Sequence, residues 1–499
     1  MRHLNHLLRD PAPGTDHGPR TRCHLAPALA FALAITPSIA LAQTGPATVS
    51  SPESATTAAV AAIYSEYDRL DSPGCALGVV QDGELVHARG FGSANLDYEV
   101  PITPNTVFYA ASVSKQFTAA AVAHAAKAGH LSLDDDVRKW FPELPDYGTP
   151  ITVRHLIHHT SGLRDYLTLM RLAGMRTADV HTADEILELV ARQRELNFEP
   201  GSDYLYSNTG YLLLSELIGR ATGKSLREYT TEHFFEPLGM KNTHFHDDAG
   251  HVQKNRAYSY ARSRRDGFRI SFLANFDQVG SGGLYTTVED LFRWDQNFDE
   301  PKVGGEAFID QLHERFVLTS GDTLDYAFGL RVGEYRGLRT VGHTGNMMGF
   351  KAAFVRFPDE RFSVLQLCNL GDIDPLEMAH RVADVYLEDR LAPRAAESKP
   401  ADAPVERALK ARPTLDAEAL LAYTGAYYSE ELDATYRVEL RDDALVVRQP
   451  LSTVRLQPAD ADVFEGGSIE LHFERSGDAI VGFRLMAGRV RNVAFVRRP

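Results

Sequence analysis

From Cys75 the chain alternates apolar and polar positions as strands do. CALGVV, the turn Gln81-Asp82-Gly83 and ELVHARGFG predict a hairpin. Between Pro104 and about Asn297 the pattern turns helical. An Ala-rich stretch predicts a helix over Ser112–Ala128, stopped by Gly129. A further helix is predicted over Tyr211–Ile218, after the turn Pro200-Gly201. Strand-like runs return from Gly329 to Leu370, with FKAAFVRF and FSVLQLC separated by Pro358-Asp359-Glu360. A last helix is expected over Pro375–Leu387. Beyond Pro413 the period is two: Tyr436, Val438 and Leu440, then Ile469, Leu471 and Phe473, with turns at Ser476-Gly477 and Ala487-Gly488. Short strands with regular turns predict a small antiparallel barrel or meander.

The ends of these patterns suggest boundaries. Leu25–Ile35 is almost wholly apolar, follows Arg20 and Arg22, and precedes Ala40-Leu41-Ala42, a small-x-small cleavage pattern. Residues 1–42 are therefore expected to be a signal peptide and the protein to be exported, to a bacterial periplasm or the extracellular space. The apolar run is short for a span of about 20 residues and Pro27 interrupts it, so no stable membrane span is expected. Residues 393–413, rich in Ala, Pro and charge, read as a linker. The chain has 499 residues, 44% apolar and 24% charged, with a formal net charge of −15. Its densest basic cluster, Arg262 to Arg265, holds three arginines, so a nucleic-acid partner is not expected. Of three cysteines, Cys23 lies in the leader. Cys75 and Cys368 sit in apolar strand-like runs and are expected to be buried thiols acting as small hydrophobes.

Three short motifs carry chemistry. In Ser112-Val113-Ser114-Lys115, residues three apart on a helix bring Lys115 beside the Ser112 hydroxyl. A lysine screened from water can lose its proton and act as the base such a nucleophile needs. In Tyr206-Ser207-Asn208, on a loop entering a helix, a phenol can pass a proton to a leaving group and Asn208 can hold a substrate amide. In His343-Thr344-Gly345-Asn346, on an expected edge strand, polar side chains line a groove. The backbone N–H groups of Ser112 and Asn346 are candidate donors to an oxyanion.

Ser-x-x-Lys, Tyr-x-Asn and His-Thr-Gly in this order resemble the class C β-lactamases, DD-peptidases and related esterases. LIHHTSGL at 156–163, PLGM at 237–240 and SGGLYTTVEDLFRW at 281–294 extend the likeness over about residues 53–392. The resemblance implies an α/β fold: an antiparallel sheet flanked by helices with a large helical insertion, followed at 414–499 by a small all-β domain similar to the lipocalin-like domains of some relatives. It implies a serine hydrolase working through an acyl-enzyme on D-amino-acid peptides, β-lactams or small esters. Ser112 would be nucleophile, Lys115 and Tyr206 would share acid and base roles, and Asn208, His343, Thr344, Gly345 and Asn346 would bind substrate. His343 stands where many members carry lysine, which leaves the substrate type open. No cofactor is implied, and the partner is a small-molecule or peptide substrate. A penicillin-binding sensor or non-catalytic binding protein of the same fold is the alternative.

Some expectations concern single features. His244-Phe245-His246-Asp247-Asp248 resembles a zinc-hydrolase motif, but Ala249 stands where another histidine is wanted, so no metal is expected. His158 and His159 read as helix-end packing. Residues 414–499 carry no catalytic motif, so truncation before Pro413 is expected to leave a folded hydrolase whose substrate range or access changes. An unperturbed His343 would titrate near pH 6.5, lower with Lys115 nearby, and would help hold anionic substrates as pH falls.

Overall fold

The structure is a computed structural model and describes residues 52–176, 179–272, 277–394, 413 and 415–499. The expected leader and most of the expected linker lie outside the described residues.

Six antiparallel strands form the main sheet: β1 (Cys75–Gln81), β2 (Glu84–Phe91), β3 (Arg331–Tyr335), β4 (Leu338–Met347), β5 (Phe350–Phe357) and β6 (Phe362–Cys368), in the order β3-β4-β5-β6-β1-β2. The two ends of this region therefore meet in the middle of one sheet. β1, β5 and β6 are buried almost throughout, as their near-continuous apolar runs require. Helix α1 (Pro52–Ile63) and the late helix α6 (Pro375–Tyr386) pack together on one face. The other face carries α5 (Val288–Asp299) and the helical insertion. There α2 (Ser114–Lys127) packs on α4 (Asn208–Thr222), with the shorter α3 (Tyr166–Ala173) beside it. α2 is rich in alanine because its side chains from Ser114 to Val122 are all buried, and small residues let neighbours approach from every side.

The helical insertion also contains strands that the pattern did not predict. Phe108–Tyr109, His244–Phe245 and Leu284–Thr286 form a three-stranded sheet, and Ser259–Arg262 pairs with Phe268–Phe272. At two to five residues these runs are too short to show a period.

The cysteines require a correction. Cys75 and Cys368 face each other in the β1–β6 register and are joined as a disulfide. Both apolar runs are the strands expected of them, but which strands pair is a tertiary fact that neither run carries. A link closing a loop this long removes about 6 kcal/mol of unfolded-chain entropy in the simplest model.

The C-terminal part is a nine-stranded antiparallel, nearly closed barrel. It runs from β7 (Gly425–Ser429), β8 (Ala434–Arg441), β9 (Ala444–Arg448) and β10 (Thr453–Arg455) through β11 (Gln457–Asp460) and β12 (Val463–Gly466) to β13 (Ile469–Ser476), β14 (Ala479–Ala487) and β15 (Val490–Arg498). Strand order is β10-β9-β8-β7-β15-β14-β13-β12-β11. Inward positions Tyr427, Tyr436, Phe473, Phe483 and Phe495 fill it with stacked and edge-on rings.

Candidate active site

Ser112 lies in a single 3-10 turn, Ala111–Val113, immediately before α2. Ala111 is held at φ 48°, a conformation that costs a non-glycine residue energy and persists only where the surroundings enforce it. Ser112 is half-buried, whereas Lys115 one turn later is fully buried. Lys115 Nζ stands 3.2 Å from Ser112 Oγ, 3.0 Å from Asn208 Oδ1 and 2.6 Å from the Ser281 carbonyl oxygen. It also lies over the rings of Tyr206 and Tyr211. Burial drives its pKa well below the ordinary 10.5, Asp165 opposes the fall and Arg489 adds to it.

Tyr206 precedes α4, and its hydroxyl is buried with no hydrogen-bond partner among the described residues. Burial raises this phenol's pKa, while Ser112 and then Arg489 work against the rise. Asn208 starts α4 and is 5% exposed. Its Oδ1 accepts from Lys115, and its backbone N–H and Nδ2 both donate to Asp165 Oδ2 at 2.8 Å. Asn208 thus holds the lysine in place, a tighter structural task than the substrate contact expected of it.

Two residues of this network were missed by the motifs. Asp165 caps α3 through Oδ1 and anchors Asn208 through Oδ2. Its signal was a helix cap two residues beyond LIHHTSGL. His159, at φ 60°, accepts the Ser207 N–H on Nδ1 and packs its ring 4.3 Å from that of Tyr206. It supports Tyr206 as well as ending a helix, while His158 binds the Arg154 carbonyl as a helix-end residue does.

β4 supplies the opposite wall. Its pairing with β3 ends at Gly342, so His343–Met347 is paired on the β5 side only, an open half rather than an edge strand. Thr344 and Asn346 line a cavity of about 310 Å3 with Ser112, Tyr206 and Asn208. Gly345 does not line it. A Cβ there would fall 2.2 Å from the Ala110 carbonyl oxygen, so glycine is what lets β4 lie against the Ser112 turn. His343 Nδ1 lies 2.6 Å from the Thr344 carbonyl and must carry the proton, so Nε2 accepts from Tyr326 at 3.2 Å. Burial, then Lys115, lowers its pKa to about 3. The fall is in the direction expected with Lys115 nearby, and it leaves this imidazole neutral across the neutral range.

The barrel also contributes to the site. The turn between β14 and β15 reaches the cavity and places Arg489 in its wall. Its guanidinium lies over the Tyr206 ring at 4.7 Å and 3.8 Å from Asp165 Oδ2. Asn197 clamps the turn, donating to the Arg489 carbonyl and accepting from the Arg491 N–H. Fully buried Arg164 binds Glu431 at 2.5 Å and the carbonyls of Arg491 and Asn492. Truncation before Pro413 would remove a wall of the site and the partner of a buried charge. The barrel therefore bears on which substrates reach the site, the direction in which truncation is expected to act.

Near His244-Phe245-His246, His244 Nε2 contacts His246 Nδ1 at 3.1 Å and Asp247 is bound by Arg227. No group of three or more metal-ligating side chains is arranged to hold an ion among the described residues.

The model of the Beta-lactamase family matches residues 60–387. A penicillin-binding protein of Bacillus subtilis (strain 168) is 27% identical over 423 residues, 81% of this chain and 91% of that protein. A D-aminopeptidase of Gluconobacter oxydans is 30% identical over 309 residues, 62% of this chain but 58% of that protein, so less than two thirds of its length is matched. The octameric penicillin-binding protein homologue from Pyrococcus abyssi superposes with a TM-score of 0.60 at 22% identity, covering 89% of this chain and 98% of that one.

Proposed function

Because the chain belongs to the β-lactamase family and is a serine hydrolase, we propose that it cleaves D-amino-acid peptides or β-lactams through an ester on Ser112. The observation that carries the assignment is the set of three contacts around Lys115. A neutral amine has two hydrogens and one lone pair. The Ser281 carbonyl and Asn208 Oδ1 can only accept, so they take the hydrogens and leave the lone pair for the Ser112 hydroxyl at 3.2 Å.

Ser112 gives its proton to Lys115 as Oγ bonds to the substrate carbonyl carbon. Negative charge gathers on the carbonyl oxygen, where the backbone N–H groups of Ser112 and Asn346 are the candidate donors. As the carbon–nitrogen bond breaks, the unpartnered Tyr206 hydroxyl donates to the departing nitrogen and recovers its proton from Lys115. Water then cleaves the ester by the same groups in reverse. Export to an oxidising compartment belongs to this reading. Its support is the Cys75–Cys368 disulfide, a bond that persists in such compartments, together with the leader pattern in residues 1–42. Among the described residues no helix is long and apolar enough to cross a membrane.

The test is covalent labelling by a neutral acylating probe. Wild type is expected to label at Ser112 and then release the label. Ser112→Ala is expected to label not at all while melting at nearly the wild-type temperature. Full labelling of that variant would overturn the assignment.

A further inference from the structure

The barrel carries charges that the chemistry at Ser112 does not use. On its outer face Arg448 of β9 stands directly opposite Arg437 of β8, Arg437 opposite Ala426 of β7, and Ala426 opposite Arg498 at the end of β15. With adjacent strands about 4.8 Å apart, the row brings three guanidiniums within about 15 Å. Like charges directly opposite each other destabilise a sheet. The chain holds 67 Asp and Glu against 52 Lys and Arg, so acidic partners outnumber basic ones over the molecule. At this row the balance is reversed. Arg437 is exposed and makes no hydrogen bond or ion pair among the described residues. Arg498 lies over the Tyr428 ring at 4.6 Å, and the Tyr428 hydroxyl donates to Asp433. Arg497 donates to the carbonyls of Ala422, Thr424 and Ile480, which leave its charge uncompensated. Arg437, Arg497 and Arg498 line a groove of about 900 Å3 with the exposed Val481 and Val496. Glu439 and Pro499 line it too, and the Glu439 carboxylate is taken by Arg441 and Arg448.

We propose that this groove binds a linear polymer carrying phosphate groups in series, and so holds the hydrolase on such a chain. The proposal is independent of which substrate Ser112 takes. Guanidiniums spaced along a row match successive phosphates, each of which accepts paired N–H donors. Val481 and Val496 offer apolar contact to the links between them. β15 runs nine residues, about 30 Å, from the turn that carries Arg489 to this row, so a polymer bound here is a tether and not a substrate. Two other polyanions fit less well. Single-stranded nucleic acid is held by open aromatic faces on which its bases stack, and the Tyr428 ring is covered by Arg498. An anionic bilayer presents a broad surface to basic side chains, whereas the guanidiniums here line a recess.

The purified full chain is titrated with long-chain inorganic polyphosphate at low and at moderate salt, and separately with orthophosphate, a single-stranded oligonucleotide and phosphatidylglycerol vesicles. Polyphosphate is expected to bind best, orthophosphate not measurably, and affinity to fall steeply with salt as counterions are released. The double variant Arg437→Glu with Arg498→Glu is expected to lose about tenfold or more in affinity for polyphosphate. Arg264→Glu with Arg265→Glu makes the same change of net charge in the densest basic cluster of the sequence, and is expected to bind as wild type does. Arg437→Glu alone places opposite charges across β8 and β9, so it is expected to melt no lower than wild type. Weakened binding in that variant is then not a failure to fold. Labelling of Ser112 by the neutral probe is expected to be unchanged in all of these variants. No binding of polyphosphate at low salt, equal losses in the two double variants, tighter binding to the oligonucleotide or the vesicles, or loss of Ser112 labelling along with binding would overturn the proposal.

Discussion

At the scale of the residue, the chemistry depends on a lysine kept neutral by what surrounds it. Ser112, Lys115 and Tyr206 were legible because each motif pairs a reactive group with a fixed spacing, and Lys115 stood in a stretch too apolar for an exposed helix. Asp165 and Arg489 were not, since a lone carboxylate in a loop and a lone arginine after a turn look the same wherever they dock. Burial does most to keep the lysine neutral, and these two charges adjust it: Asp165 favours the charged form and Arg489 the neutral one. For a base whose working form is neutral, the rate falls as pH drops through its pKa. Removing Arg489 leaves burial alone to oppose Asp165, so Lys115 holds its proton to higher pH. The acid limb of kcat/KM for a neutral ester is therefore expected to move to higher pH in Arg489→Gln and to return towards wild type in Arg489→Lys. His343, lowered to about 3, contributes no limb near neutrality. Full pH profiles of the three proteins check this. An unmoved limb in Arg489→Gln would remove the guanidinium from the control of Lys115.

At the scale of the element, β1, β2, β5, β6 and the helix after Ser112 were readable from period and turn residues, and their bounds fall close to those expected. What the period could not show is how tightly β4 lies on the Ser112 turn. His-Thr-Gly suggested a groove wall, and the glycine serves instead to close the gap to Ala110. The obstacle at Gly345 is a backbone carbonyl, which cannot swing away as a side chain would. Gly345→Ala must therefore displace β4, the turn, or both by an appreciable fraction of an ångström. Overpacking of this kind costs about 1–3 kcal/mol of stability. A displacement approaching 1 Å at the reacting groups can cost about a hundredfold in rate. The expected outcome is a modest fall in melting temperature with a much larger loss of kcat, measured on the same preparation. Wild-type turnover in this variant would show that the contact is slack.

At the scale of the whole molecule, the barrel's existence was plain from alternating runs after Pro413, but its docking was not. Docking depends on Arg164, Gln193 and Asn197 meeting Glu431 and the 489–492 backbone, pairs separated by some 240 to 330 positions. Glu431 is the centre of that joint. One oxygen takes Arg164 Nη1 and the Arg194 N–H, the other takes the Ala494 N–H, and its carbonyl takes Gln193. Every bond to the carboxylate is a donated one, so an amide in its place turns a donor towards donors. Breaking a buried ion pair by removing one partner costs about 3–5 kcal/mol, because the other charge stays behind unpaired. Glu431→Gln is therefore expected to weaken the joint, lower the temperature of the first unfolding transition, and loosen the turn that carries Arg489. Turnover should then fall as well, although Glu431 lines no part of the cavity. The double variant Arg164→Met with Glu431→Leu is expected to regain part of the lost stability, since no lone charge remains buried. Calorimetry and kinetics on the three proteins provide the measurement. Should Glu431→Gln unfold like wild type and keep wild-type turnover, the barrel would be tethered by contacts other than this ion pair.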